Sequence, residues 1–154
     1  MSDLRELYQE VILDHAKRPR NFRIMPDADH QADGHNRLCG DKLRVFLKVR
    51  DGKVDAVSFH GEGCAISKAS ASLMTETLAG KTVAEAQDIF ERFHALLTSP
   101  VEDDGAAESL GKLAVFAGVR EFPVRVKCAT LAWHTLQAAM AQRPDAPAAA
   151  VSTE

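Results

Sequence analysis

Polar and apolar positions alternate with a period of two through the middle of the chain and with a helical period on either side. Leu43, Val45, Leu47 and Val49 interleave with Arg44, Phe46, Lys48 and Arg50, Asp51-Gly52 supplies a tight turn, and Val54 to Phe59 reads as the return strand of a hairpin spanning 43–59. Ahead of it, Leu4, Tyr8, Val11, Ile12 and His15 recur at helical spacing after Ser2, a candidate N-cap, so an amphipathic helix is predicted to end before Pro19. Residues 18–37 carry two prolines and Gly34 and read as an irregular connection with a short strand near His30 to His35.

Beyond the hairpin the period changes to that of helices. Ile66, Ser70, Leu73 and Thr77 form one stripe, small residues from Ala69 to Ser72 permit close approach, and Gly80 stops the helix. Thr82-x-x-Glu85 is a capping box for a helix that turns Val83, Ala86, Phe90, Phe93 and Leu97 to the core. Ser99-Pro100 and Glu102-Asp103-Asp104-Gly105 mark a polar loop, and a short helix is expected from about Leu110 to Phe116. Pro123 opens a last helix with Val124, Cys128, Leu131, Thr135 and Ala138 on one face and Trp133, Leu136 and Met140 widening the apolar surface. The fold class expected is α+β: a small antiparallel sheet of roughly two to three strands packed against about five helices. Residues 1–143 form a single domain in this reading, and the alanine-rich 144–154 a mobile tail.

Composition narrows the function more than the fold. With 154 residues and 45% hydrophobic content the chain has enough apolar surface for a core without disulfide staples. A net charge of -3, from 19 Lys+Arg against 22 Asp+Glu, comes without a basic stripe, which argues against nucleic acid or an acidic membrane as partner. Val11-Ile12-Leu13 is interrupted by Asp14 and nothing approaches a membrane span, so a cytoplasmic protein is expected. Three cysteines at irregular spacing do not make a secreted disulfide framework and point instead to metal or sulfur chemistry.

Those cysteines stand at element boundaries. Cys39-Gly40-Asp41 precedes the first hairpin strand, Cys64 follows the second after Gly61-Glu62-Gly63, and Cys128 lies early in the last helix. Because the hairpin leads away and back, Cys39 and Cys64 belong at the same end of the sheet. A helix N-terminus is expected to favour the thiolate of Cys64. Three thiolates and the Asp41 carboxylate make a tetrahedral zinc shell, and three cysteines are also the protein share of a small iron–sulfur site. Taken alone, Cys128 reads as a core residue on an apolar stripe rather than as a ligand.

Three ordered motifs carry a resemblance. Cys39-Gly40-Asp41, then Gly61-Glu62-Gly63-Cys64-Ala65-Ile66-Ser67-Lys68-Ala69-Ser70, then Arg125-Val126-Lys127-Cys128-Ala129-Thr130-Leu131-Ala132-Trp133 resemble the IscU/NifU N-terminal family of iron–sulfur cluster assembly proteins, and Leu7 to His15 matches its opening phrase. Within that family the chain is most similar to the SufU type. Scaffold-type IscU members have histidine where this chain has Lys127, their Leu-Pro-Pro-Val-Lys chaperone motif is replaced by Glu121-Phe122-Pro123-Val124-Arg125, and 98–111 matches a SufU-type insertion.

The resemblance implies an IscU/NifU-like fold and zinc held by Cys39, Asp41, Cys64 and Cys128. It implies sulfurtransferase-like activity, in which Cys39 accepts persulfide sulfur from a SufS-type cysteine desulfurase and passes it to a SufB-containing assembly complex of the SUF system. The alternatives are a scaffold for a transient [2Fe-2S] cluster, or iron, on Cys39, Cys64 and Cys128, and a structural zinc binding module. Arg125 and Lys127 are candidates to offset thiolate charge from outside the ligand set, and His35 and His60 rank below Asp41 as a fourth ligand.

Overall fold

The hairpin predicted from alternation is the spine of the sheet in the computed structural model, which describes residues 2–99, 110–141 and 150–153, with side chains from residue 6. β1 (His30–Asn36), β2 (Asp41–Arg50) and β3 (Lys53–Glu62) form an antiparallel meander in which Leu43 faces Gly61 and Leu47 faces Val57. Asp51 and Gly52 both have positive φ, 54° and 75°, the conformation whose twist matches a two-residue hairpin. The strands extend further than the alternation indicated, so that Asp41 begins β2 opposite Asn36 of β1. Position 41 is thereby held by the ladder rather than by a loop.

Helices cover one face of this sheet. α1 (Ser2–Lys17), α2 (Ala65–Leu78), α3 (Val83–Thr98), a 3₁₀ helix (Gly111–Glu121) and α4 (Pro123–Met140) follow in order, and the capping box of Thr82 and Glu85 forms as predicted. Leu43, Val45, Leu47, Val57 and Phe59 turn inward from the sheet to meet Leu73, Met74, Leu131 and Leu136. Each such side chain contributes about 1.5–3 kcal/mol on full burial. Trp133 stacks on Phe93 at 4.7 Å, and Phe93 meets Phe116 edge-on at 5.8 Å. No helix of the described residues is long and apolar enough to cross a membrane.

α2 is the wall on which the others lean. From Ala69 to Thr75 every residue is buried, so α2 is enclosed more completely than a single apolar stripe requires. Small side chains allow this, and their hydroxyls are satisfied. Ser70 donates to the Ala129 carbonyl at 2.5 Å and accepts from Trp133 Nε1 at 3.1 Å. Ser72 meets His15 Nδ1 at 2.7 Å and accepts from the Arg20 amide at 2.8 Å. Leaving such buried groups unpaired would cost about 1–3 kcal/mol each.

Four expectations change. The sheet has a fourth strand, β4 (Val151–Ser152), parallel to β1 in the order β3-β2-β1-β4. Residues 150–153 are therefore not a loose end: the Thr153 amide donates to the His35 carbonyl and its hydroxyl to the Lys127 carbonyl. The helix expected over 110–116 is a longer 3₁₀ segment, and Val124, placed on the core stripe, is 50% exposed because the first turn of α4 projects beyond the packed layer. The polar loop at Glu102 to Gly105, most of the 98–111 segment and residues 144–149 lie outside the described residues.

Candidate metal centre

Three elements bring the cysteines and Asp41 to one end of the sheet. β1 and β2 are joined by residues 37–40, and Gly40, at φ 72°, turns the chain between Cys39 and Asp41 at a backbone angle that suits glycine. The Asp41 side chain is 2% exposed, and its Oδ1 accepts from the Cys64 amide at 2.8 Å. Cys64 is the N-cap of α2, its sulfur accepting from the Ser67 amide at 3.4 Å. Between β3 and that cap, Gly63 leaves room that a Cβ would close, since it would stand 3.1 Å from Asp41 Oδ1 and 3.2 Å from Ser67. Cys128 reaches the same place from the second turn of α4.

The donor atoms converge. Cys39 and Cys128 sulfurs are 2.7 Å apart, all three cysteines being free thiols, and Cys64 Sγ is 3.9 Å from Asp41 Oδ2. One donor atom each from Cys39, Asp41 and Cys128 lies within 4.8 Å of the others. Cys64 stands beside this trio and joins it through Asp41. The donor set of three sulfurs and one carboxylate is one that zinc accepts, with bonds of about 2.3 Å to sulfur and 2.0–2.2 Å to oxygen. The residues thus fit zinc.

Electrostatics reverse one expectation. Burial pushes the Cys64 thiol up, the Ser67 amide offsets this in part, and the Asp41 carboxylate adds to the rise. Desolvation outweighs the helix N-terminus here, so Cys64 is not a spontaneous thiolate. Burial raises Cys128 further, with its contact to Cys39 and the neighbouring Cys64 contributing next. Three thiols and a carboxylate packed this closely cannot all ionise without a cation among them.

Arg125 and Lys127 do not supply that charge by contact. The Arg125 guanidinium lies 4.5 Å over the Phe122 ring, and neither residue bonds to the sulfurs among the described interactions. His60 is exposed and stacks on Phe22 at 4.8 Å, while His35 lies in β1 paired with Lys42, and neither enters the donor cluster. His15 and His134 are held uncharged mainly by burial, which lowers both. Hydrophobic side chains remain uncovered on the elements that bear the thiols: Leu38 is 65% exposed and Phe122 45%.

Asn36 was not singled out by sequence reasoning. It is fully buried, donates from Nδ2 to Cys128 Sγ at 3.8 Å and accepts the Leu38 amide on Oδ1 at 3.1 Å. The available signal was an asparagine two residues ahead of a turn amide, the pattern of an Asx turn.

Comparison with known proteins agrees with this geometry. The model of the NifU-like N terminal domain matches residues 7–129. The chain is 38% identical over 141 residues to the zinc-dependent sulfurtransferase SufU of Bacillus subtilis, covering 92% of this chain and 94% of that one. It is 35% identical over 146 residues to the iron-sulfur cluster assembly scaffold protein IscU of Streptococcus pyogenes, covering 95% and 90%. A crystal structure of a proposed iron-sulfur cluster assembly scaffold protein for the SUF system from Fervidobacterium islandicum superposes with a TM-score of 0.77 at 33% identity, covering 85% of this chain and 94% of that one. On a family match spanning most of the chain and relatives aligned over nearly their whole length, this protein belongs to the NifU-like N-terminal domain family, the IscU/NifU family.

Proposed function

We propose that the protein is an iron–sulfur cluster assembly factor that binds zinc through Cys39, Asp41, Cys64 and Cys128 and accepts persulfide sulfur on Cys39 from a SufS-type cysteine desulfurase. The observation that carries this reading is the convergence of three free thiols and a buried carboxylate from three separate elements, in the relative setting of a zinc-dependent sulfurtransferase. When bound, zinc supplies the positive charge that lets these acids ionise together. The sulfur donor upstream is the desulfurase, and the recipient downstream is a SufB-containing assembly complex.

Each residue has a distinct part. Asp41 anchors the Cys64 amide and so fixes one side of the site against the start of α2. Cys128 is buried on α4, 2% exposed, which makes it a poor acceptor for an incoming persulfide. Cys39 lies on a loop beside exposed Leu38, where another protein can reach it. In the transfer, the Cys39 thiolate attacks the outer sulfur of the enzyme persulfide. A sulfur–sulfur bond forms at Cys39, the bond between outer and inner enzyme sulfurs breaks, and the enzyme cysteine departs as a thiolate. The proton lost by Cys39 balances the one this thiolate takes up, and a neutral sulfur atom has moved with no external oxidant.

A second reading, a scaffold for a transient [2Fe-2S] cluster, draws on the same three sulfurs and on relatives named as scaffolds. Purification without added metal separates the two. Colourless protein with about one zinc per chain, which stimulates a desulfurase, supports sulfur transfer, whereas brown protein with thiolate-to-iron charge-transfer absorption supports the scaffold. Cys39 that takes no sulfur from a persulfide-loaded desulfurase would overturn the acceptor role.

A further inference from the structure

One buried side chain touches both halves of the cluster without being a donor to metal. Asn36 ends β1 opposite Asp41, has no exposed surface, and closes the four-residue connection that carries Cys39. Its backbone carbonyl accepts from the Cys39 amide at 3.3 Å, and its side-chain oxygen accepts from the Leu38 amide at 3.1 Å. An amide N–H can only donate, so Oδ1 must face Leu38, and this fixes the orientation of the side chain. Nδ2 is then directed at Cys128 Sγ, 3.8 Å away on another element.

A buried carboxamide is costly unless its groups are paired. A neutral thiol is a weak acceptor, but a thiolate takes a charge-assisted hydrogen bond. The donor is therefore matched to the ionised form of Cys128, the form in which it would ligate a metal. The oxygen of the same side chain restrains the Cys39 loop. We propose that Asn36 is a positioning residue of the metal centre, setting the separation of Cys39 and Cys128 and donating a hydrogen bond to the Cys128 thiolate. This inference rests on the zinc-site reading above.

The test uses the full chain and zinc alone. Asn36→Ser keeps a hydroxyl that can accept from Leu38 and is too short to reach Cys128. Zinc affinity, measured by competition with a chromophoric chelator, should fall by about tenfold or more, the usual effect of removing a partner that orients a ligand. In a Cys128→Ala background the same substitution should have little further effect on the residual affinity, because the acceptor it served is gone. A smaller loss, or an equal loss in both backgrounds, would overturn the proposal, the second outcome marking a role in loop folding only. If Asn36→Ser does not fold by circular dichroism, Asn36→Thr, which fills more of the space, is read against the same criteria. Wild-type protein that fails to bind zinc would overturn the ligand reading itself, whereas wild-type binding with an unaffected Asn36 variant would remove only this inference.

Discussion

The two cysteines that flank the hairpin are built on opposite principles. Cys64 lies two residues beyond β3, caps a buried helix and is gripped through its amide by Asp41 and through its sulfur by the Ser67 amide. Cys39 stands in a four-residue connection between exposed neighbours Leu38 and Gly40, held by backbone hydrogen bonding and the side chain of Asn36. Under the proposed function, the contrast separates two requirements of a metal site that must also react. One ligand has to be located by the fold, and another has to be able to leave. A helix N-terminus, which by itself would suggest reactivity at Cys64, serves here to locate it, because burial overrides the dipole.

The largest expected effect lies on the Cys39 side. Cys39→Ala should reduce desulfurase stimulation to background while the metal-free protein melts at a nearly unchanged temperature, since Cys39 is half-buried on a loop and its sulfur meets the Cys128 thiol rather than an apolar core side chain. Stimulation and thermal melting of one preparation check both halves, and a lowered melting temperature would show that the loop is part of the scaffold. Next is the link between the two sides. Asp41→Asn retains an oxygen for the Cys64 amide but removes the negative charge, and zinc affinity should fall by roughly tenfold or more while folding is preserved. Chelator competition reads this, and unaltered affinity would exclude Asp41 as a ligand.

On the Cys64 side a modest effect falls on stability, and the two roles can be split. Cys64→Ala loses ligand and cap together, so it should destabilise the metal-free protein by about 1 kcal/mol, whereas Cys64→Ser, a good N-cap, should leave that stability nearly intact and lose only metal affinity. Equal melting of the two variants would mean that the sulfur contributes nothing as a cap. The smallest effect concerns the wall behind Cys64. Burial lowers His15, with Arg20 adding to the fall, so the unfolded state takes up this proton before the native state does. Stability held by the His15–Ser72 contact is complete above the unfolded value of about 6.5 and declines as pH falls from there toward the lowered native value. Denaturant unfolding between pH 7 and 5 should therefore show less acid sensitivity in His15→Gln than in the wild type.

Legibility in the sequence followed the range of the interactions. The hairpin, its Asp51-Gly52 turn, the Thr82 capping box and the proline at the start of α4 were readable because each depends on neighbours a few residues apart. Placement of Cys39 and Cys64 at one end of the sheet followed from the hairpin alone. Val124 defeated the helical pattern because periodicity gives a face to every turn, including one that extends past the packed layer. β4 was missed since two residues of a polar, alanine-rich end carry no alternation, and their partner strand is more than a hundred residues away.

The sequence by itself determined the hairpin and the main helices, the end of the sheet at which two cysteines meet, and, through three motifs in order, the family. Tertiary structure alone decided that α4 brings Cys128 to within 2.7 Å of Cys39 and that Asn36 lies between that helix and the loop. It also decided the ionisation preference of Cys64, because a local dipole is visible in the sequence whereas desolvation depends on everything the chain folds around that sulfur.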